Sequence, residues 1–313
     1  MNILVLGSGG REHAVISSFS KSKKCSKIYA LPGNGGTSIL AENIKGDIND
    51  FDFIKNLVIE KNISMVFVGP EDPIVNGIYD YFKSSPNLKN IKIIAPSKLA
   101  GSLEGSKDFA KDFMEKYNIP TARHKTFTAD NINEADTFLE SMTPPYVLKA
   151  DGLASGKGVL IISDLIEAKK ELRRMILDEK FGKASLKVVI EEFLEGIELS
   201  CFVLTDGKNY KTLPFAKDYK KIGEGDKGLN TGGMGAISPV PFTLPRCPRR
   251  LWTSSIFVRR SYIAQATPIA LSRMMLSLPR KVKRVDTPMA PFLAPVWAMT
   301  LSTRSRLRAR LTC

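Results

Sequence analysis

Residues Tyr146–Ser163 read YVLKADGLASGKGVLIIS, and this stretch decides the fold. Two runs rich in β-formers, Tyr146–Leu148 and Val159–Ile162, flank a loop that carries Gly152, Gly156 and Gly158. The small residues Ala154 and Ser155 leave the loop backbone open to close approach, and Lys149 and Lys157 stand at its edges as point charges. Exposed N–H groups beside two ammonium groups suit a polyphosphate. A P-loop would need four residues between its first glycine and Gly-Lys, then Ser or Thr, then a helix. Here Gly152 and Gly156 enclose three residues, Gly158 follows Lys157, and a strand comes next. The spacing therefore predicts a glycine-rich β-hairpin, either a lid over phosphates or an ordinary flexible turn.

Toward the N-terminus, Asn2–Leu6 is a short apolar strand that runs into GSGGREHA at Gly7–Ala14. Strand, glycine turn and helix make a unit whose helix N-terminus can hold an anion. Gly7 and Gly9 fit a dinucleotide fingerprint, but Glu12 occupies the third glycine position and no acid stands near residue 31. A phosphate or sugar-phosphate on Gly9, Gly10 and Arg11 is the better reading than NAD, with a plain tight turn as the alternative. Further strands are expected at Lys27–Ala30, Ser64–Val68 and Ile91–Ala95, with a helix over Asp50–Lys61. This alternation gives a parallel sheet, and the loops at 7–11, 32–36 (PGNGG, with Asn34) and 69–73 (with Gly69 and Glu71) should meet at its ligand edge.

Ser106 is a candidate cap for a helix through Tyr117, with Phe109, Phe113 and Met114 on one face. A short helix is expected at Ile132–Glu140, and Asp164 should cap another that runs to about Asp178. Strands at Lys187–Glu192 and Ile197–Thr205 follow. The segment Glu191, Glu192, Phe193, Leu194 ends the first of these, and Glu198 lies beyond it. Such a strand end can read an adenine edge and a ribose diol, or it can be a generic acidic turn. Glu224–Ser238 reads as a second glycine-dense loop, with Asn230, in which backbone approaches ligand. His13 and His124 have no metal partners nearby and read as structural or surface residues.

With 313 residues and 43% hydrophobic content, the chain should make two or three domains. Its four cysteines lack metal or redox spacing, which reads as reduced thiols of a cytoplasmic protein. Neither a signal peptide nor a membrane span is expected. The net charge of +14 would suggest a nucleic acid or an anionic surface, but its distribution argues against both. Residues 1–240 carry 32 Lys plus Arg against 31 Asp plus Glu, whereas residues 241–313 carry 14 against Asp286 alone.

Taken together, GSGGREHA, PGNGG, GPEDPIVNG, PSKLAGSLEGSKDFAKDFM, NIPTA, YVLKADGLASGKGV, EEFLEGIELS and NTGGMGAISPVP resemble the phosphoribosylamine–glycine ligase family, in family order through residues 1–242. The resemblance implies an α/β fold: a Rossmann-like domain over 1–104 and an ATP-grasp portion over 105–242, with a lid subdomain at about 121–192. It implies ATP-dependent ligation of glycine to 5-phosphoribosylamine in purine synthesis, through glycyl phosphate, with a magnesium or manganese ion. By the same resemblance, Lys107 and Lys149 reach the ATP phosphates, Gly152–Gly158 form the lid, Glu191–Leu194 line adenine, Glu198 holds ribose, and Asn230 belongs to the nucleotide site. Gly9, Gly10, Arg11, Asn34, Gly69 and Glu71 correspond to the phosphoribosylamine pocket. Lys149, Asp218 and Lys221 are the catalytic candidates. Tyr219 and Lys221 replace the family's His and Arg, and lysine keeps the charge but loses the bidentate fork. A monomer is expected.

After Phe242 the motifs stop. Residues 243–313 switch from Lys to Arg, carry seven prolines without turn logic, and show neither helical nor strand periodicity. With Asp286 as their only acid they cannot rebuild the metal site that the resemblance implies, so an irregular basic tail and an incomplete ATP-grasp fold are expected. A frame shift near Phe242–Leu244 explains the break; a basic tail for RNA or acidic lipid is the alternative. The chain is accordingly read as an impaired ligase, a binding-only fragment for nucleotide or sugar-phosphate, or a related ATP-grasp ligase of the same pathway.

Overall fold

The computed structural model describes residues 1–153, 158–205, 209–225, 227–240 and 296–299. The chain forms two compact units, one built on Met1–Gly105 and one that begins at Ser106.

The first unit runs β1 (Asn2–Gly7), α1 (Gly10–Ser20), β2 (Lys27–Pro32), β3 (Glu42–Asn43), α2 (Phe51–Glu60), β4 (Ile63–Val68), α3 (Asp72–Asn76), α4 (Ile78–Ser84), β5 (Lys92–Ile94) and α5 (Lys98–Gly105). Its five strands are all parallel, in the order β3-β2-β1-β4-β5. The central strand β1 is buried from Ile3 to Leu6, as an unbroken apolar run requires in a sheet covered on both faces. Ile16 and Phe19 of α1 pack with Ile3, Val5, Met65 and Phe67 on one such face. Asp50 accepts a hydrogen bond from the Phe53 N–H at 2.9 Å and so starts α2 where the sequence expects it. The strand order reverses at β1, which opens a crevice beyond the C-terminal ends of β1 and β4.

The second unit opens with α6 (Lys107–Lys116), then β6 (His124–Phe127), α7 (Ile132–Glu140), β7 (Tyr146–Ala150), β8 (Val159–Ile162), α8 (Leu165–Leu177) and β9 (Val188–Glu192). These strands form an antiparallel sheet in the order β6-β9-β7-β8. The hairpin expected from Tyr146–Ser163 is therefore present as β7 and β8, closed at its mouth by the Ala150 N–H donating to the Gly158 carbonyl at 2.8 Å. Period-two alternation sends Tyr146, Leu148, Ala150, Val188 and Ile190 into a core shared with Leu139 of α7 and Leu172 and Met175 of α8. Val147, Lys149, Val189 and Glu191 fall on the opposite face. Further on lie β10 (Cys201–Thr205), β11 (Tyr210–Thr212), β12 (Lys217–Gly223), β13 (Lys227–Ile237) and β14 (Val296–Met299). Strands β12 and β13 pair as an antiparallel two-stranded ribbon, and β10 lies between β11 and β14.

Two expectations change. The glycine-dense stretch 224–238 is mostly strand: β13 spans Lys227–Ile237 and pairs with β12 through two register shifts. Left-handed Gly228 and Gly233, with φ of 85° and 131°, sit within it, so glycine serves here to bend a ribbon. Helix α6 forms as expected, with Ser106 accepting from the Phe109 N–H at 3.0 Å, but its buried residues are Ala110 and Lys111 while Phe109 is exposed. In the stretch 243–313, expected to be irregular, Val296–Met299 pair with Cys201–Leu204; the rest lies outside the described residues.

Candidate functional site

In the first unit the three expected loops do meet. The Gly33 N–H donates to the Gly7 carbonyl at 3.2 Å, Asn34 Nδ2 donates to the Ser8 carbonyl at 2.8 Å, and Arg11 Nη1 donates to the Gly69 carbonyl at 3.2 Å. Arg11 also approaches Glu71 at 3.4 Å, an exposed pair whose worth is small. Glu12 is the buried acid of this edge, and its Oε2 accepts from the Gly9 N–H at 2.7 Å. A Cβ on Gly7, Gly9 or Gly69 would run into the Glu12 side chain. Glu12 thus fills the turn that a dinucleotide fingerprint keeps open with glycine, which explains the missing third glycine. It also occupies the Gly9 N–H, leaving Gly10 and the Arg11 guanidinium as the candidate anion contacts. Asn34 is largely committed to the turn itself: its Oδ1 accepts from the Gly36 and Thr37 N–H groups at 2.8 and 2.9 Å. Thr37 and Asn43 complete the brace, with Thr37 Oγ1 donating to Asn43 Oδ1 at 2.8 Å and Asn43 Nδ2 to the Asn34 carbonyl at 2.7 Å.

In the second unit the chemistry gathers around the base of the β7–β8 hairpin. Lys149 on β7 is a diagonal neighbour of Glu191 on β9, and its ammonium lies 2.9 Å from Glu191 Oε1. The other oxygen, Oε2, is held at 3.0 Å by Lys111 of α6. Lys111 also donates to Thr121 Oγ1 at 2.8 Å. The helix meets this face of the sheet through a polar stripe at helical spacing. Asp108 accepts from Thr126 Oγ1 at 2.6 Å, Lys111 pairs with Glu191, and Glu115 stands 3.5 Å from His124 Nε2. Burial pushes the Glu191 carboxyl up, but Lys149 and Lys111 together outweigh that and hold it below the usual carboxylate range. Desolvation dominates at Lys111 and holds its ammonium below the usual lysine range, because one carboxylate shared between two cations does not fully offset it.

Lys107 lies at the start of α6, where its ammonium donates to the Gly152 and Asp151 carbonyls at 3.1 and 3.4 Å. Asp151 fixes this corner. Its carboxylate accepts from Ser106 Oγ at 3.0 Å and from the Asp108 N–H at 2.8 Å, so the residue after β7 caps α6 from outside. Lys107 and Lys149 therefore stand at the same hairpin base, one over its first loop carbonyls and the other on its incoming strand. Gly158 sits at the far side of the mouth. Ser155, Gly156 and Lys157 lie outside the described residues.

Glu192 is exposed and its Oε1 accepts from the Arg123 N–H at 2.9 Å, while Phe193 and Leu194 follow in a half-buried loop. Glu198 pairs with Lys220 at 2.6 Å, and Lys220 lies 3.3 Å from Asp218. The structure thus gathers Glu198, Asp218 and Lys220; Lys221 lies opposite Asn230 in the ribbon register. Asp218 Oδ1 is buried without a hydrogen-bond partner. Burial lowers the Lys220 ammonium, but Glu198 and Asp218 more than offset it and raise it above the lysine range. Among the described residues, no group of three or more His, Cys, Asp or Glu is placed to hold a metal ion, and no helix is long and apolar enough to cross a membrane.

Lys111, Asp151 and Lys220 are absent from the residues singled out in the sequence. For Lys111 a signal existed: it falls four residues after Lys107, beside Ala110, on a helix that must bury one face, and a buried lysine requires an acid such as Glu191.

Both units are similar to known proteins. Residues 1–104 match the phosphoribosylglycinamide synthetase N domain and residues 105–259 its ATP-grasp (A) domain, so the match continues past Phe242. The phosphoribosylamine–glycine ligase of Haemophilus influenzae is 42% identical over 259 residues, covering 82% of this chain and 59% of that protein. The ligase of Caldanaerobacter subterraneus subsp. tengcongensis is 46% identical over 241 residues, covering 77% and 56%. The crystal structure of the Thermotoga maritima ligase is similar with a TM-score of 0.63 at 36% identity, over 77% of this chain and 56% of that one. A biotin carboxylase domain from Hydrogenobacter thermophilus, at TM-score 0.56 and 18% identity, shares the fold. The chain spans somewhat more than half the length of the curated relatives it matches. It belongs to the phosphoribosylglycinamide synthetase family.

Proposed function

We propose that this chain carries the amino-substrate and nucleotide-binding parts of an ATP-dependent ligase that joins glycine to 5-phosphoribosylamine, giving glycinamide ribonucleotide, ADP and phosphate. ATP activates the glycine carboxylate as an acyl phosphate, and the amine then displaces phosphate. The observation that carries this reading is the convergence of Lys107 and Lys149 on one glycine hairpin base. Two ammonium groups at that base attract polyphosphate and spread the charge of a phosphoryl group in transit. The hairpin loop Gly152–Gly158 closes over the phosphates, Glu191–Leu194 border the base, and Glu198 and Asn230 complete the nucleotide side. Asp218 and Lys221 are the further catalytic candidates beside Lys149, with Lys221 supplying charge to the phosphate. Gly10, Arg11, Asn34, Gly69 and Glu71 receive phosphoribosylamine, with Gly9 held by Glu12.

A divalent cation accompanies ATP in this reading. Among the described residues no group of three or more His, Cys, Asp or Glu is placed to hold one, and residues 243–313 offer a single acid, so no step is assigned to a metal. The binding-only reading is favoured by a sequence observation: residues 243–313 contain a single acid. Measuring ADP release with and without glycine and phosphoribosylamine, beside calorimetry with ATP, separates the two. Ligase activity requires release that depends on both substrates. Binding of ATP without turnover supports the fragment reading, and neither signal overturns both.

A further inference from the structure

The buried Lys111 of α6 is not among the site residues read from the sequence, yet it lies at the centre of the hairpin base. We propose that Lys111 is a positioning residue for nucleotide capture: it balances the Glu191 charge so that Lys149 can leave that carboxylate for a polyphosphate. This rests on the reading that Lys149 binds nucleotide phosphate.

The geometry separates the two lysines by task. Lys111 is 7% exposed at its side chain and locked between Thr121 and Glu191 Oε2, whereas Lys149 is 29% exposed and holds Oε1 alone. Each cation takes its own oxygen of one 8% exposed carboxylate, so the cluster carries a net positive charge whose solvent-reaching member is Lys149. If Glu191 had Lys149 as its single partner, drawing that lysine toward phosphate would strand a buried carboxylate, which is strongly unfavourable. With Lys111 in place, the departure leaves a one-to-one buried pair. The same logic explains why a second, permanently desolvated lysine is tolerated beside Lys149. Lys111 itself touches no phosphate; it lies beneath the sheet face and acts through Glu191.

The test is a double-mutant cycle on the full chain, read by calorimetric affinity for ATP with magnesium and by thermal melting of the free protein. Lys111→Met should weaken ATP binding by about tenfold to 100-fold, a fraction of the full penalty for leaving a buried charge without its partner. In the Glu191→Gln background the same Lys111→Met change should cost less than about threefold, because no charge then needs balancing. Equal losses in both backgrounds overturn the proposal, as does unchanged affinity in Lys111→Met. If Lys111→Met alone fails to fold, the two Glu191→Gln proteins still decide it: a large loss between them refutes the link through Glu191. Lys149→Met distinguishes the underlying reading. If it leaves ATP affinity unchanged, or if the parent chain binds no nucleotide, phosphate capture by Lys149 is wrong and the proposal falls with it; if it weakens binding while Lys111→Met does not, only the proposal falls.

Discussion

The glycine edge of the first unit and the hairpin base of the second both present backbone and cations, yet they are held together by opposite means. The first is braced mainly by neutral hydrogen bonds, with Asn34, Thr37 and Asn43 bonded among themselves and to the turn, while one carboxylate, Glu12, seals the β1–α1 corner. The second is braced by charge, with two lysines on one buried carboxylate and Asp151 capping α6. A hydrogen-bonded turn is rigid and indifferent to a ligand's charge. A cluster with one cation in excess is shaped by burial but biased toward an anion, so its stability and its affinity are coupled.

The coupling predicts that the charged brace is the more fragile. Glu191→Leu should be the most damaging single change, because it strands two cations of which Lys111 is buried; a loss of about 3–5 kcal/mol is expected from the urea midpoint. The neutral brace should break more gently. Gly33→Ala places a Cβ against Asn43 and Thr37 at a φ of 71°, and a loss of about 1–3 kcal/mol should appear in the same assay. Asp151→Ala removes an external cap from α6 and should cost about 1–2 kcal/mol while weakening ATP binding through Lys107. If Gly33→Ala proved the costlier, the contrast between the two regions would be inverted.

Acid sharpens the same contrast. Glu191 binds its proton less readily in the folded chain than at its ordinary value of 4.5, so its contribution is complete above that value and is lost as pH falls below it. Asp108, for which burial is outweighed by Thr126 and Lys187, behaves in the same way below its ordinary 3.8. Acid unfolding followed by circular dichroism should therefore show Glu191→Gln losing less stability than the parent as pH falls below 4.5, a difference in slope of at most about 1.4 kcal/mol per pH unit. The smallest effect concerns Cys201, whose thiol is pushed up to about 11 by burial. At pH 8 it should alkylate far more slowly than Cys25, whose thiol is raised less, as peptide mapping after iodoacetamide would report.

Much of the fold was legible because its signals are local. An apolar run ending in glycine marks β1, Asp50 and Asp164 mark helix starts, and the run Tyr146–Ser163 marks a hairpin that the structure contains as β7 and β8. What escaped depends on contacts distant in sequence. Helix α6 offers Phe109, Phe113 and Met114 as an obvious apolar stripe, yet it turns Asp108, Lys111 and Glu115 toward the sheet because Thr126, Glu191 and His124 await them there. No local pattern encodes that choice. The ribbon β12–β13 was obscured by composition: glycine at this density reads as loop, and only its partner strand makes it a ladder. For the candidate site, motif reading reached Lys107, Lys149 and Glu198. It passed over the residues that hold them: Asp151 and Lys220 carry no signature of their own, and the spacing signal at Lys111 points to burial only once Glu191 is known to face it.

The Asp151 knot also dictates where the molecule can be dissected. One side chain binds Ser106 and the Asp108 amide, while its own N–H reaches the Lys187 carbonyl at 3.0 Å. Three segments far apart in sequence are thus stitched at a single point just inside the unit boundary. A recombinant fragment of the second unit has to begin at or before Ser106. Starting it a few residues later would remove two of the three stitches along with the first turn of α6, leaving the hairpin tied to its helix through Glu191 alone.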